Sequence, residues 1–173
     1  MTSQTQVAII TGGASGIGLA VAQALALRGA WQIVVFDRDT ARASAAVQSV
    51  PGANFHGADI ADYTSLTSAF KAAYEQFNGL DFVFANAGIA MTAPVSTSTE
   101  GPPTAPDTSM IDVNLNGAIN TTLYYLAQSG KGGNLILTAS SAGFYASVRS
   151  PAYSASKHGV IGWTRSLAPT AMR

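Results

Sequence analysis

A tyrosine and a lysine four positions apart, in Tyr153-Ser-Ala-Ser-Lys157, are the pair best suited to do chemistry in this sequence. Four residues is about one helical turn, so on a helix the two side chains share a face. A fixed ammonium beside a phenol favours the phenolate and lowers the phenol's pKa. A phenol tuned in this way exchanges a proton with an alcohol or a carbonyl near neutral pH. The spacing alone is common on exposed helix faces, so its weight depends on what else the chain holds.

A second constellation stands far upstream: Thr11-Gly12-Gly13-Ala14-Ser15-Gly16-Ile17-Gly18, between an apolar run and an Ala/Leu-rich stretch. In a strand–turn–helix setting, Gly12 permits the tight turn, Gly16 lets backbone approach a pyrophosphate, and Gly18 lets the helix pack on the strand. The helix N-terminus, entered through Ser15 and Ile17, then offers free N–H groups and the positive end of its dipole to phosphate. Asp37 follows Gly18 by 19 positions, about where an acidic residue grips the adenosine ribose hydroxyls. A carboxylate there repels a 2′-phosphate and argues for NAD over NADP, whereas the neighbouring Arg38 could tolerate one. The bland reading of Asp37 and Asp39 is helix capping, a role that suits Asp39 or Thr40 better and leaves Asp37 free.

The elements that must position these groups alternate between short β-rich runs and helical stretches. Strands are expected at Gln6–Thr11, Gln32–Phe36, Asn54–Ala58, Leu80–Ala85 and Asn134–Thr138. Helices are expected at Ile17–Arg28, in an alanine-rich stretch ending near Val50, and at Tyr63–Phe77, Thr108–Ser129 and Ala152–Ala168. Gly29, Pro51-Gly52, Asn78-Gly79 and Pro169 supply the stops. Ala90–Asp107, rich in Pro, Ser and Thr, reads as the longest loop. Strands apolar on both faces, alternating with helices, imply a doubly wound parallel sheet flanked by helices: a Rossmann-like α/β domain spanning residues 1–173.

The chain of 173 residues suits one domain with a sizeable core. Charged residues make up only 10% of it, apolar residues 47%, and mean hydropathy is +0.22. Much of the surface therefore expects a cover. Net charge is zero, so nothing points to nucleic acid or an anionic membrane. The absence of cysteine excludes disulfides, thiolate catalysis and cysteine metal sites, and no metal centre is expected. No signal peptide or membrane span is legible, and a cytoplasmic protein is the default expectation.

Taken together, these motifs resemble the classical short-chain dehydrogenases/reductases, over essentially the whole stretch from Val7 to Arg173. Thr11–Gly18 matches the family's TGxxxGIG turn. Asp59-Ile60 is similar to its adenine-contacting pair, and Asn86-Ala87-Gly88 to its NNAG segment, with Ala85 in place of the first Asn. Asn114 stands where the family has its catalytic Asn. Ser140 precedes Tyr153 by 13 positions, the family's serine spacing. Ser141 is a rival for that role, and both serines could merely end the fifth strand. Asn114 could likewise be only a helix irregularity, although a polar, poor helix former mid-helix needs a reason.

The resemblance implies an NAD-dependent oxidoreductase that interconverts a secondary alcohol and a ketone. Tyr153 would be the acid/base. Lys157 would tune Tyr153 and hold the nicotinamide ribose. Ser140 would bond the substrate oxygen, and Asn114 would keep its helix open around a proton-relaying water. It also implies a homodimer or homotetramer through the last two long helices. Family members continue with a sixth strand, a substrate loop and helix, and a seventh strand. A chain ending at Arg173 is expected to lack these last two strands, leaving strand five as an edge and much of the substrate wall missing. Two alternatives follow: a non-catalytic NAD(H)-binding or interaction protein, and an NADPH-dependent ketoreductase using Arg38. His56, His158, Tyr124, Tyr125, Trp163 and Leu167 are expected to serve packing or interfaces instead of catalysis.

Overall fold

The computed structural model describes residues 5–91, 105, 107–128 and 132–171. Five strands, β1 (Gln6–Thr11), β2 (Trp31–Asp37), β3 (Asn54–Gly57), β4 (Phe82–Ala85) and β5 (Asn134–Leu137), form one sheet in the order β3-β2-β1-β4-β5. Every strand pair is parallel. The order reverses beside β1, between β2 and β4, so a crevice opens there at the carboxyl ends of the strands.

Strand alternation sends side chains to two cores. Val7 and Ile9 of β1 join Val34, Phe36 and Val83 in a cluster with Leu66, Phe70 and Ala73 of α3 (Tyr63–Phe77) and Tyr125 of α5 (Gly117–Gln128). Ile10 points the other way, with Ile33, Val35 and Phe84, towards Ala22 of α1 (Gly16–Leu27) and Ala43 and Ala46 of α2 (Thr40–Val47). Apolar residues on both faces of the inner strands are thus explained by helices on both sides. Phe70 is fully buried, edge-on to Phe36 at 5.1 Å and stacked on Tyr124 at 4.9 Å between centroids. Tyr125 is buried too, and its hydroxyl donates to Asp81 O at 3.4 Å. Both tyrosines therefore pack, as expected.

Local chemistry sets the ends of α3. Asp62 caps it by accepting from Thr64 N at 2.9 Å and Ser65 N at 3.3 Å. Asn78 ends it in the left-handed region at φ 53°, a conformation Asn tolerates better than most residues.

Several expected boundaries move. β2 is longer by a residue at each end, and β3, β4 and β5 are shorter than expected. The alanine-rich helix stops at Val47, and residues to Val50 follow as turns. Thr108–Ser129 is not one regular helix: α4 (Ser109–Ile111) passes through a π-helical turn, Asp112–Asn116, into α5, and Ser129 lies outside the described residues. The last helix, α6 (Pro151–Ala171), starts at a proline and runs through Pro169. Proline suits a first helical turn, where its missing N–H has no intrahelical partner to lose. Near the other end it costs one bond without stopping the chain from coiling on. A short 3-10 turn, Ser141–Gly143, was not expected. Most of the loop expected at Ala90–Asp107 lies outside the described residues.

β5 pairs only with β4 among the described residues, and Ile136 on it is 51% exposed.

Candidate functional site

A cleft of about 400 Å³ opens at the carboxyl ends of the strands. The glycine turn supplies one wall through Gly12, Ser15, Gly16 and Ile17. Its shape has a steric cause. Gly12 and Gly16 adopt positive φ, at 64° and 52°, where side chains other than glycine are strained. A Cβ on Gly18 would strike the Gly12 carbonyl oxygen and come within 2.8 Å of Asn86 Nδ2. Gly18 is therefore buried under the turn and does not line the cleft, while the other expected cofactor residues do. Ser15 precedes α1 without making a side-chain capping bond, so the N–H groups of the first turn stay available to an anion.

The end of β2 forms the next wall, with Asp37, Arg38 and, from α2, Arg42. Asp39 caps α2 by accepting from Arg42 N at 2.9 Å, as expected. Asp37 is left free of the capping role, as expected, but it has backbone partners: its Oδ2 accepts from Ala14 N at 3.2 Å and its Oδ1 from Asp39 N at 3.1 Å. These bonds orient the carboxylate beside the glycine turn and leave each oxygen a lone pair for a hydroxyl donor. Asp59 and Ile60, after β3, complete this end of the cleft.

Asn86, Ala87 and Gly88 line the floor beyond β4. Thr11 Oγ1 accepts from Asn86 N at 3.0 Å and Ala87 N at 3.1 Å. Asn86 Nδ2 donates to Thr11 O at 3.2 Å, and its Oδ1 accepts from Thr138 Oγ1 at 3.2 Å. One asparagine thereby ties β1, β4 and the exit of β5 together.

Tyr153 and Lys157 occupy the far end, both lining the cleft from α6. Lys157 Nζ lies 5.8 Å from the centroid of the Tyr153 ring, within cation–π range. Lys157 is 4% exposed, and its ammonium donates to Thr138 O at 2.8 Å. Burial lowers its pKa from the ordinary lysine value.

Asn114, 1% exposed, sits in the π-helical turn. Its Oδ1 accepts from Ile89 N at 2.7 Å, and its Nδ2 donates to Ile89 O at 2.8 Å and Ser156 Oγ at 3.2 Å. The irregular helix thus has a bonding reason: the wider turn carries an amide that pairs with both backbone groups of Ile89. A Cβ on Gly88 would lie 3.0 Å from Asn114 Oδ1 and 3.7 Å from Lys157 Nζ, so these two polar heads flank one point of the floor.

Ser140 ends the extended segment after β5, and its hydroxyl accepts from Ala142 N at 3.2 Å. It does not line the cleft, and neither does Ser141. His158 is exposed, with Nδ1 2.9 Å from Ser154 O. His56, on β3, meets Phe36 edge-on. Neither histidine reaches the cleft. Sequence reading missed Arg42, Thr138 and Ser156. Arg42 lies in the first turn of α2, just after Asp37 and Arg38, a nearness that could have marked it; the contacts of Thr138 and Ser156 come from remote segments.

Among the described residues no group of three or more His, Asp or Glu could hold a metal ion, and no helix is long and apolar enough to cross a membrane.

A family model described as short chain dehydrogenase matches residues 6–172. A short-chain dehydrogenase/reductase, prx7, of Penicillium rubens is 39% identical over 166 residues, covering 87% of this chain and 58% of its own. A short chain dehydrogenase/reductase from Burkholderia phymatum, solved in complex with NAD, superposes with a TM-score of 0.86 at 24% identity, over 96% of this chain and 60% of its own. An alcohol dehydrogenase from the archaeon Thermococcus sibiricus, complexed with 5-hydroxy-NADP, gives a TM-score of 0.85 at 25% identity, over 96% and 71%. The chain spans 50–58% of the length of the first curated relatives it matches.

Proposed function

Because the chain belongs to the short-chain dehydrogenase/reductase family, whose members are oxidoreductases acting on CH–OH groups, we propose that it interconverts a secondary alcohol and a ketone with NAD. Residues 1–173 act in this reading as one nucleotide-binding domain. The observation that carries it is the placement of Tyr153 and Lys157 in the same cleft as the glycine turn and Asp37.

The cleft suits a dinucleotide. A positive-φ glycine turn and an uncapped helix N-terminus favour a pyrophosphate, and the oriented Asp37 carboxylate favours ribose hydroxyls. These residues would hold a nicotinamide cofactor whose chemistry would be hydride transfer. Tyr153 holds the proton that leaves the alcohol or reaches the carbonyl oxygen. Lys157, fixed by Thr138 O, sets a positive charge beside the phenol and would donate to the nicotinamide ribose. Asn114 holds Ile89 and, through Ser156, the first turn of α6, since Ser156 Oγ donates to Tyr153 O at 2.7 Å. Ser140 reaches the substrate oxygen in this reading once its hydroxyl turns from Ala142 N.

In this reading NAD is favoured over NADP, because a 2′-phosphate on the ribose would meet the charge of Asp37. Cytoplasmic residence and a homodimer or homotetramer through α5 and α6 belong to the same proposal. Leu123 on α5 is 48% exposed, as a covered surface requires.

Titration of the chain with NADH, followed by nicotinamide fluorescence, tests the cofactor reading. Saturable binding supports it, and a folded sample that binds neither NADH nor NADPH overturns it. Turnover on a panel of secondary alcohols and ketones then separates an enzyme from a nucleotide-binding protein without catalysis.

A further inference from the structure

Arg42 lines the cleft next to Asp37 and Arg38, whereas Asp39 does not. Asp39 nevertheless holds Arg42 twice. Its Oδ1 accepts from Arg42 N at 2.9 Å, and its Oδ2 lies 3.5 Å from Arg42 Nε. The first contact caps a helix. The second sets a carboxylate against the Nε edge of a guanidinium that already lines the cleft.

We propose that Asp39 masks Arg42, and that this pair decides how strongly the site rejects a 2′-phosphate on the adenosine ribose. The inference rests on the dinucleotide reading of the cleft. Around the ribose end Asp37, Asp39 and Asp59 stand against Arg38 and Arg42. Asp37 is held in place by Ala14 N and Asp39 N and cannot swing away from a phosphate without losing both bonds. Discrimination then turns on which cations can reach the phosphate. Arg42 and Asp39 side chains are 61% and 43% exposed, and pairs this open are weak and exchange readily with another anion. A phosphate offers a guanidinium stronger, bidentate hydrogen bonds than one carboxylate oxygen at 3.5 Å does.

The deciding variants are Asp39→Asn, Arg42→Ala and the double variant, titrated with NADH and NADPH by nicotinamide fluorescence at fixed ionic strength. Asparagine caps helices as well as aspartate, so Asp39→Asn keeps the bond to Arg42 N and removes only the charge. Asp39→Asn is expected to tighten NADPH about threefold and leave NADH within about 1.5-fold, the scale of one exposed ion pair. Adding Arg42→Ala is expected to erase that gain. An unchanged ratio of the two affinities in a folded Asp39→Asn protein would overturn the masking. So would a gain that survives loss of Arg42, since simple relief of repulsion would then account for it. Loss of binding to both nucleotides, already in the unsubstituted chain, would overturn the dinucleotide reading and this inference with it.

Discussion

The backbone carbonyl of Thr138 holds the ammonium of Lys157 at 2.8 Å, and the hydroxyl of the same threonine donates to Asn86. The exit of β5 thereby links the Tyr153–Lys157 end of the cleft to the asparagine beneath the glycine turn. The lysine is positioned by backbone, in a sheet fixed by main-chain pairing, and its geometry does not depend on a mobile side-chain partner.

Removing the phenol oxygen tests the proton step alone. Tyr153→Phe keeps the ring against Lys157 and is expected to lower kcat by about 10²-fold or more. NADH affinity should stay within about threefold, since the phenol is one contact among many. Steady-state kinetics and fluorescence titration measure the two, and full activity in the variant would refute the assigned role.

The buried ammonium of Lys157 should cost stability. Its folded pKa is depressed, so below that pKa the folded state bears the whole penalty of burying the charge. As pH rises from the lowered pKa towards the ordinary value of 10.5, the folded protein releases its proton first and the penalty fades. Lys157→Met is expected to be as stable as the parent at neutral pH, or more stable by about 1 kcal/mol, while losing turnover. The advantage should shrink as pH approaches 10.5. Urea unfolding across pH reads this out, and a constant deficit in the variant would contradict it.

Gly18→Ala places a methyl against the Gly12 carbonyl, a backbone atom that cannot rotate away. The turn must shift, with an expected loss of about 1–3 kcal/mol and a clear weakening of NADH binding. Gly16→Ala is a contrast: its Cβ meets nothing within 4 Å, so the only penalty is positive φ, about 1 kcal/mol. Thermal melts of the two variants should rank in that order.

Asn114→Ala would leave the N–H and C=O of Ile89 without their partners. The expected cost is about 1–3 kcal/mol, with faster hydrogen exchange at the Ile89 amide. Unchanged exchange there would show that the asparagine does not hold this segment.

Much of the fold was legible because its signals are local. Apolar runs bounded by Gly, Pro and Asn marked all five strands, and Asp62 and Asn78 bracketed α3 by capping chemistry alone. The glycine turn and the Tyr153–Lys157 spacing were legible for the same reason: each is set within one turn of backbone. The π-helical turn was not, because its cause is the pairing of Asn114 with Ile89, 25 residues away. Likewise the bond from Ala14 N to Asp37 was not legible, because the two residues are 23 positions apart.

The sequence by itself determined the parallel α/β architecture, the family, and the candidate residues for phosphate, ribose and proton. Alternation, turn residues and short motifs encode these directly. Only the tertiary structure decided that Thr138 grips Lys157, that Arg42 shares the cleft with Asp37, and that Ser156 joins Asn114 to α6. Such contacts arise where strand ends and helices from distant segments meet, and no spacing along the chain records which atoms packing will bring together.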